Sequence, residues 1–222
     1  MATSGAFNFN PNIAELLEEA FERAGLEMRS GYDLKTGIRS FNFMMAEWAN
    51  RGLNLWTIQE DSTPITTGEN EVDIDNVVDV IEYVIRNGTG EAQADYKLER
   101  ISVSQWANIT NKNITGRPTQ IYVERLRDVT RVKLWPSPSQ DYELVYWTLR
   151  RLEDAGSAGN TADLPYRFIP ALVSGLAYYI AMKRPEATMR VPTLKQIYEE
   201  QFALAAEEDR DRASVFFYPD MG

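Results

Sequence analysis

The side chains whose types and spacing offer chemistry in this sequence are carboxylates. Asp73 and Asp75 in EVDID stand two apart, which on a strand puts both on one face, where a divalent cation would find oxygen ligands. No third ligand is marked, and solvated edge charges are the plainer reading. Glu15, Glu18, Glu19 and Glu22 make an acidic helical face. A glycosidase-type pair needs one acid in an apolar setting that raises its pKa. A face this crowded with charge reads instead as solvated, or as turned toward another subunit. NGTGEA (87–92) lacks the glycine spacing and the lysine of a phosphate loop, and Ser174 in VSG lies inside a helical run, not at a nucleophile elbow.

The chain has no cysteine and no histidine. Within it there can be no disulfide framework, zinc finger, Cys–His or Ser–His–Asp site, and the usual proton shuttle near neutral pH is missing. No catalytic residue, metal or cofactor is expected, and the chain is not read as an enzyme. With 222 residues, 44% hydrophobic and 25% charged, it has ordinary globular composition and enough length for a real core. A net charge of −10 argues against a tight grip on nucleic acid, which needs Lys and Arg on phosphates. It is compatible with a protein past which DNA slides without sticking. MATSGAFNFN has neither a basic start nor an apolar run, so no secretory leader is expected.

The elements that would position these residues fall into three blocks. NPNIAELLEEAFERAG predicts an amphipathic helix capped by Asn10, with Pro11 in its first turn, Gly25 at its exit, and Ile13, Leu16, Leu17, Ala20, Phe21 and Ala24 inward. A second helix runs from about Asp33 to Asn50 and closes at Gly52. Its stripe is Leu34, Ile38, Phe41, Met45 and Trp48, with Phe43 and Met44 off it, so a second apolar contact is expected there. From NLWTIQ the texture becomes β: VVDVIEYVIRNGTG is β-branched on both faces and ends in Asn87-Gly88 turn chemistry. SVSQWANIT opens with Ser102 and Gln105 at capping-box spacing, predicting a short helix that carries Trp106. TQIYVERL, RVKLW and DYELVYWTLRRL read as three strands, the last two joined as a hairpin by PSPSQD. After a Gly/Ala/Ser/Asn linker, LPYRFIPALVSGLAYYIAMKRP predicts a buried helix, too short to span a bilayer. VPTLKQIYEEQFALAAEEDRDR predicts a fourth helix, with Leu194, Ile197, Tyr198, Phe202 and Ala205 inward.

The expected fold is therefore α+β. Helices from 1–53 and 153–210 pair into a bundle, an antiparallel β module at 54–152 is inserted between them, and 211–222 is an extended C-terminal arm. Fully extended, that arm spans at most about 40 Å at roughly 3.3–3.6 Å per residue.

Aromatic residues are the more informative class: five Trp, 11 Tyr and nine Phe. Several stand where a monomer has little core to offer. The arm holds Ser214, Val215, Phe216, Phe217, Tyr218 and Pro219, too apolar for a solvated tail. Aromatic anchors of this kind serve protein interfaces, although a monomer can also tuck such a tail back onto itself. Phe43, Met44, Trp56 and Trp106 are the candidate subunit-interface residues.

Three stretches, GIRSFNFMMAEWANRGLNLWTI (37–58), GRPTQIYVER (116–125) and VKLWPSP (132–138), resemble in that order the head-to-tail adaptor proteins of short-tailed bacteriophages, also called head completion, tail tubular or packaged-DNA stabilisation proteins. The resemblance covers most of the chain. It implies a homo-oligomeric ring, usually a dodecamer, in the virion at the head–tail junction, after assembly in the cytoplasm of a bacterial host. There the ring docks beneath the portal protein, extends and seals the channel, and lets double-stranded DNA through without specific binding. It also offers a platform for tail nozzle and fibre proteins. The resemblance further implies a C-terminal arm, Ser214 to Pro219 here, that reaches into the portal, and no membrane or cofactor. From other classes, a carboxylate-based cell-wall hydrolase of a virion and a non-viral oligomeric scaffold remain alternatives.

Overall fold

Asn12 and Glu15 start the first helix by exchanging bonds. The Asn12 side chain accepts from the Glu15 amide, and the Glu15 carboxylate accepts from the Asn12 amide. The cap is thus Asn12, not Asn10, because only a residue three before Glu15 can close the reciprocal box. The computed structural model describes residue 5 and residues 9–52 and 55–209; the C-terminal segment that contains Ser214–Pro219 lies outside these residues.

In chain order the elements are α1 (Ile13–Arg23), α2 (Gly31–Arg51), β1 (Ile58–Ile65), β2 (Glu71–Asp75), β3 (Val77–Asn87), β4 (Ala94–Lys97), β5 (Glu99–Arg100) and α3 (Val103–Asn108). There follow β6 (Thr115–Gly116), β7 (Gln120–Arg125), β8 (Val129–Trp135), β9 (Ser137–Pro138), β10 (Tyr142–Arg150), α4 (Ile169–Ala181) and α5 (Val191–Glu208). The fold is α+β, and the chain divides into two compact units, Met1–Trp56 with Leu152–Gly222, and Thr57–Arg151.

In the first, helical unit α4 is the central element. Its buried residues, among them Leu172, Val173, Leu176, Ala177 and Ile180, point to nearly every side, and α1, α2 and α5 pack around it. Two glycines permit close approach. A Cβ on Gly37 would stand 2.8 Å from Leu17 Cδ2, and one on Gly175 would stand 2.5 Å from Met44 Sδ and 2.8 Å from the Tyr198 ring. Phe41, Met45 and Trp48 of the predicted stripe are buried, and around these small residues the buried face of α2 is wider than that stripe. That face runs through Gly37, Ser40, Phe41, Met44, Met45 and Trp48, while Leu34 and Ile38 are half-buried. Helix α2 ends as expected at Gly52, whose φ of 71° is a left-handed cap that glycine adopts without strain. On α5, Leu194, Tyr198, Phe202 and Ala205 are buried as predicted, but Ile197 is exposed.

The second unit is two four-stranded sheets, in the orders β1-β10-β3-β4 and β2-β8-β7-β5, closed over one core. Val80, Ile85 and Leu144 of one sheet and Ile121, Val132 and Leu134 of the other are fully buried in it. The expected β8/β10 hairpin does not form. β8 turns back on β7, while β10 crosses to the other sheet and pairs with β1 and β3. The intervening PSPSQD segment does not act as a two-strand turn, because its Ser137 and Pro138 form β9, paired parallel with β6. The apolar look of both faces of β3 has a local cause. Its register against β10 slips between Trp147 and Thr148, so buried positions run Val80, Tyr83, Ile85, and Ile81 is left exposed. A bulge of this kind shifts the face on which the following residues lie. β3 then returns to β4 through Asn87-Gly88, with Asn87 opposite Ala94. The capping box of α3 between Ser102 and Gln105 forms as predicted.

Candidate interaction surfaces

Three of the carboxylates singled out first, Asp73, Glu15 and Glu19, are bonded to neighbours. Asp73 on β2 receives two bonds from Arg131 on β8, at 2.7 and 2.9 Å. That hydrogen bonding holds its carboxyl below the ordinary value. Glu15 is spent in the α1 capping box and Glu19 on Arg23 one turn along. Among the described residues, no group of three or more His, Cys, Asp or Glu is placed to hold a metal ion. No helix among them is long and apolar enough to cross a membrane.

A cluster that the sequence reading did not isolate stands where α2 meets α4 and α5. Tyr179 donates to Glu47 Oε2 at 2.6 Å, Tyr198 donates to Glu47 Oε1 at 3.1 Å, and Trp48 Nε1 donates to the Tyr198 hydroxyl at 2.7 Å. Arg51 bonds both Glu47 and Glu199, and its guanidinium lies 4.3 Å from the centre of the Phe202 ring. Burial, reinforced by the carboxylate, pushes both tyrosine hydroxyls above their ordinary pKa. Arg51 holds Glu199 below its own. Hydroxyls that resist ionisation, facing a carboxylate already bonded on both oxygens, make a clamp between helices. The Glu47–Arg51 spacing of four was legible as a helical pair, but its partners lie about 130 to 150 positions away and left no local signal.

The stretches that carry the resemblance have defined structural jobs. The first is α2 itself: Gly37 admits Leu17, Asn42 accepts from the Ala155 amide, and Glu47, Trp48 and Arg51 form the clamp. The second and third are one structure. GRPTQ and LWPSP run side by side, with Thr119 donating to the Trp135 carbonyl at 3.0 Å and Ser139 to the Gly116 carbonyl at 3.0 Å. Pro136 lies against Gly116, where a Cβ would be 3.6 Å away.

Over residues 11–219 the sequence matches the SU10 adaptor protein family. The chain belongs to that family. It is a phage head–tail adaptor-type protein, and no curated protein matches it.

The adaptor's candidate interface residues are not equivalent. Phe43 is 60% exposed on α2 and free for a contact. Met44, expected beside it at an interface, is fully buried between α2 and α4, so within this chain it is a core residue. Gly175 leaves the gap that its flexible thioether fills. Trp56 is half-buried against Phe168, ring centres 4.6 Å apart, and its Nε1 is buried with no hydrogen-bond partner among the described residues. Trp106 is half-buried too, stacked on Tyr122 at 5.7 Å with Lys112 over its ring. The adaptor also exposes apolar side chains that the sequence reading passed over. These include Phe9, Tyr32, Tyr166 and Met189, between 66% and 91% exposed. The predicted arm Ser214–Pro219 falls outside the described residues.

Proposed function

We propose that this chain is a structural adaptor that assembles into a homo-oligomeric ring, a dodecamer, beneath the phage portal protein. The ring extends and seals the DNA channel and carries the tail nozzle and fibres. The observation that supports this reading most is the family match, which runs over nearly the whole chain. The acidic face of α1 and the net charge of −10 favour a wall that repels phosphate and lets DNA pass. Phe43 is the subunit-facing anchor we favour, with Trp56 and Trp106 as secondary contacts. Ser214 to Pro219 form the portal-binding arm, which docks Phe216, Phe217 and Tyr218. No catalytic role is assigned: the adaptor family is a structural one, and of the acidic residues on α1 Glu15 serves the helix cap and Glu19 pairs with Arg23.

The test is mass measurement of the full chain alone and with portal rings. Twelve copies on a portal ring are expected, and fewer copies on truncation of residues 213–222. A strict monomer under both conditions defeats the ring, and undiminished portal binding by the truncated chain defeats the arm.

A further inference from the structure

We propose that the cleft between α1 and the start of α4 is the seat of the chain's own C-terminal segment, residues 210–222. The cleft measures about 630 Å³, and its apolar lining is Phe9, Pro11, Leu16, Ile169, Pro170 and Val173. Leu16 and Val173 are buried and Pro170 is exposed, so an apolar floor lies beneath an open mouth. Beside it Phe9 is 66% and Tyr166 71% exposed, and their rings meet edge to face at 6.3 Å. An edge-to-face aromatic pair open to water, next to an apolar hollow, is surface that favours a cover of aromatic chemistry.

Where the chain leaves the described residues selects the occupant. The last of them, Asp209, has a fully buried side chain ion-paired with Arg167. Arg167 follows Tyr166 directly and precedes the cleft residues Ile169 and Pro170 by less than one helical turn. The C-terminal segment therefore starts from a point pinned to Arg167, two residues before the cleft residue Ile169. Residues 210–222 reach at most about 47 Å at roughly 3.3–3.6 Å per residue, several times what is required. Their chemistry matches the site. Val215, Phe216, Phe217 and Tyr218 suit the apolar floor, whose acidic rim residues Glu15 and Glu19 are already bonded to Asn12 and Arg23. A tethered segment acts at an effective concentration of about millimolar, so at micromolar protein the chain's own segment outcompetes that of a second copy.

The consequence is that the aromatic arm is covered before assembly, and a docking partner exchanges one apolar seat for another. This rests on the portal reading only for what displaces the arm, not for the cleft contact itself. The absence of cysteine gives a clean experiment in the full chain. The double variant Pro170→Cys/Ser214→Cys places one thiol at the cleft and one in the arm with its aromatics intact. Leu204→Cys/Ser214→Cys is the control, since Leu204 is exposed and sits closer along the chain to the start of the arm.

Under mild oxidation at micromolar concentration, the cleft pair is expected to close within one chain roughly tenfold faster than the control, as a modest docking preference requires. Adding Phe216→Ala and Phe217→Ala should bring it down to the control rate. Equal rates for the two pairs, disulfides found only between chains, or a rate indifferent to Phe216 and Phe217 would overturn the proposal. Loss of portal binding with the preference intact would overturn the portal reading and leave this one standing.

Discussion

In the helical unit the largest buried side chains are tied to one another by polar atoms. Trp48 donates to Tyr198, and Tyr198 and Tyr179 both donate to Glu47. In the β unit the interior is mainly aliphatic, through Val80, Ile85, Ile121, Val132, Leu134 and Leu144, and the arginine–carboxylate pairs lie on its outside. The difference follows from what each backbone already specifies. Ladder hydrogen bonds between strands set register, so a plain apolar filling suffices. A helix spends its backbone bonds on itself, and nothing in them fixes its rotation against a neighbour. Directional side-chain bonds at the α2, α4 and α5 junction supply that missing constraint.

The comparison breaks most visibly at Trp48. Trp48→Ala removes a fully buried ring packed against Phe168 and Phe202 together with a hydrogen bond. A loss of about 3–5 kcal/mol is expected, read as a lower urea midpoint of the helical signal. A midpoint that does not move would mean the clamp is not what holds α2 in place.

Tyr198→Phe tests the polar part alone. It keeps the ring and leaves the Trp48 indole N–H without its acceptor, for an expected cost of about 1–3 kcal/mol. It also has a pH signature. Burial raises the Tyr198 pKa above its ordinary value. Its contribution is therefore fully present below about pH 10 and is lost as pH rises toward the folded-state value. The variant should lose less stability on going alkaline than the wild-type chain does, and an identical alkaline slope would remove tyrosine burial as the cause.

The smallest effect belongs to the outside of the β unit. Asp73→Asn breaks a two-bond pair with Arg131 that is open to solvent, and exposed pairs contribute little. At pH 7 the melting midpoint should barely move. The Asp73 carboxyl is held below its ordinary value by Arg131, so its contribution fades as pH falls through the acid carboxylate range. The acid limb of the stability profile should flatten slightly in the variant. A midpoint shift at pH 7 as large as that of Tyr198→Phe would overturn the contrast between the two units.

Features that depend on neighbours a few positions away were legible in the sequence. The Ser102–Gln105 box, the left-handed exit at Gly52 and the Asn87-Gly88 turn all formed where they were read. The α1 cap was misplaced by two residues, since Asn10-Pro11 looked like a start and the Asn12–Glu15 exchange is the one that closes. On α2, Phe41, Met45 and Trp48 are buried as the spacing predicts, but hydrophobicity marks Leu34 and Ile38, which are half-buried, and passes over Gly37, whose smallness admits Leu17. For the candidate contacts, Phe43 and Met44 both lie off the predicted stripe by spacing, and only Phe43 is exposed, because the burial of Met44 depends on a glycine 131 positions later.

By itself, then, the sequence determined the classes of element, the α3 capping box and the left-handed exit of α2, and the exclusion of cysteine and histidine chemistry, because these depend on local spacing and composition. The tertiary structure alone decided the partner of β8, the gathering of Glu47, Tyr179 and Tyr198 into one clamp, and the cleft between α1 and the start of α4. Each of these joins residues far apart in the chain, and the choice among such pairings is made by packing and directional bonds that no window of sequence contains.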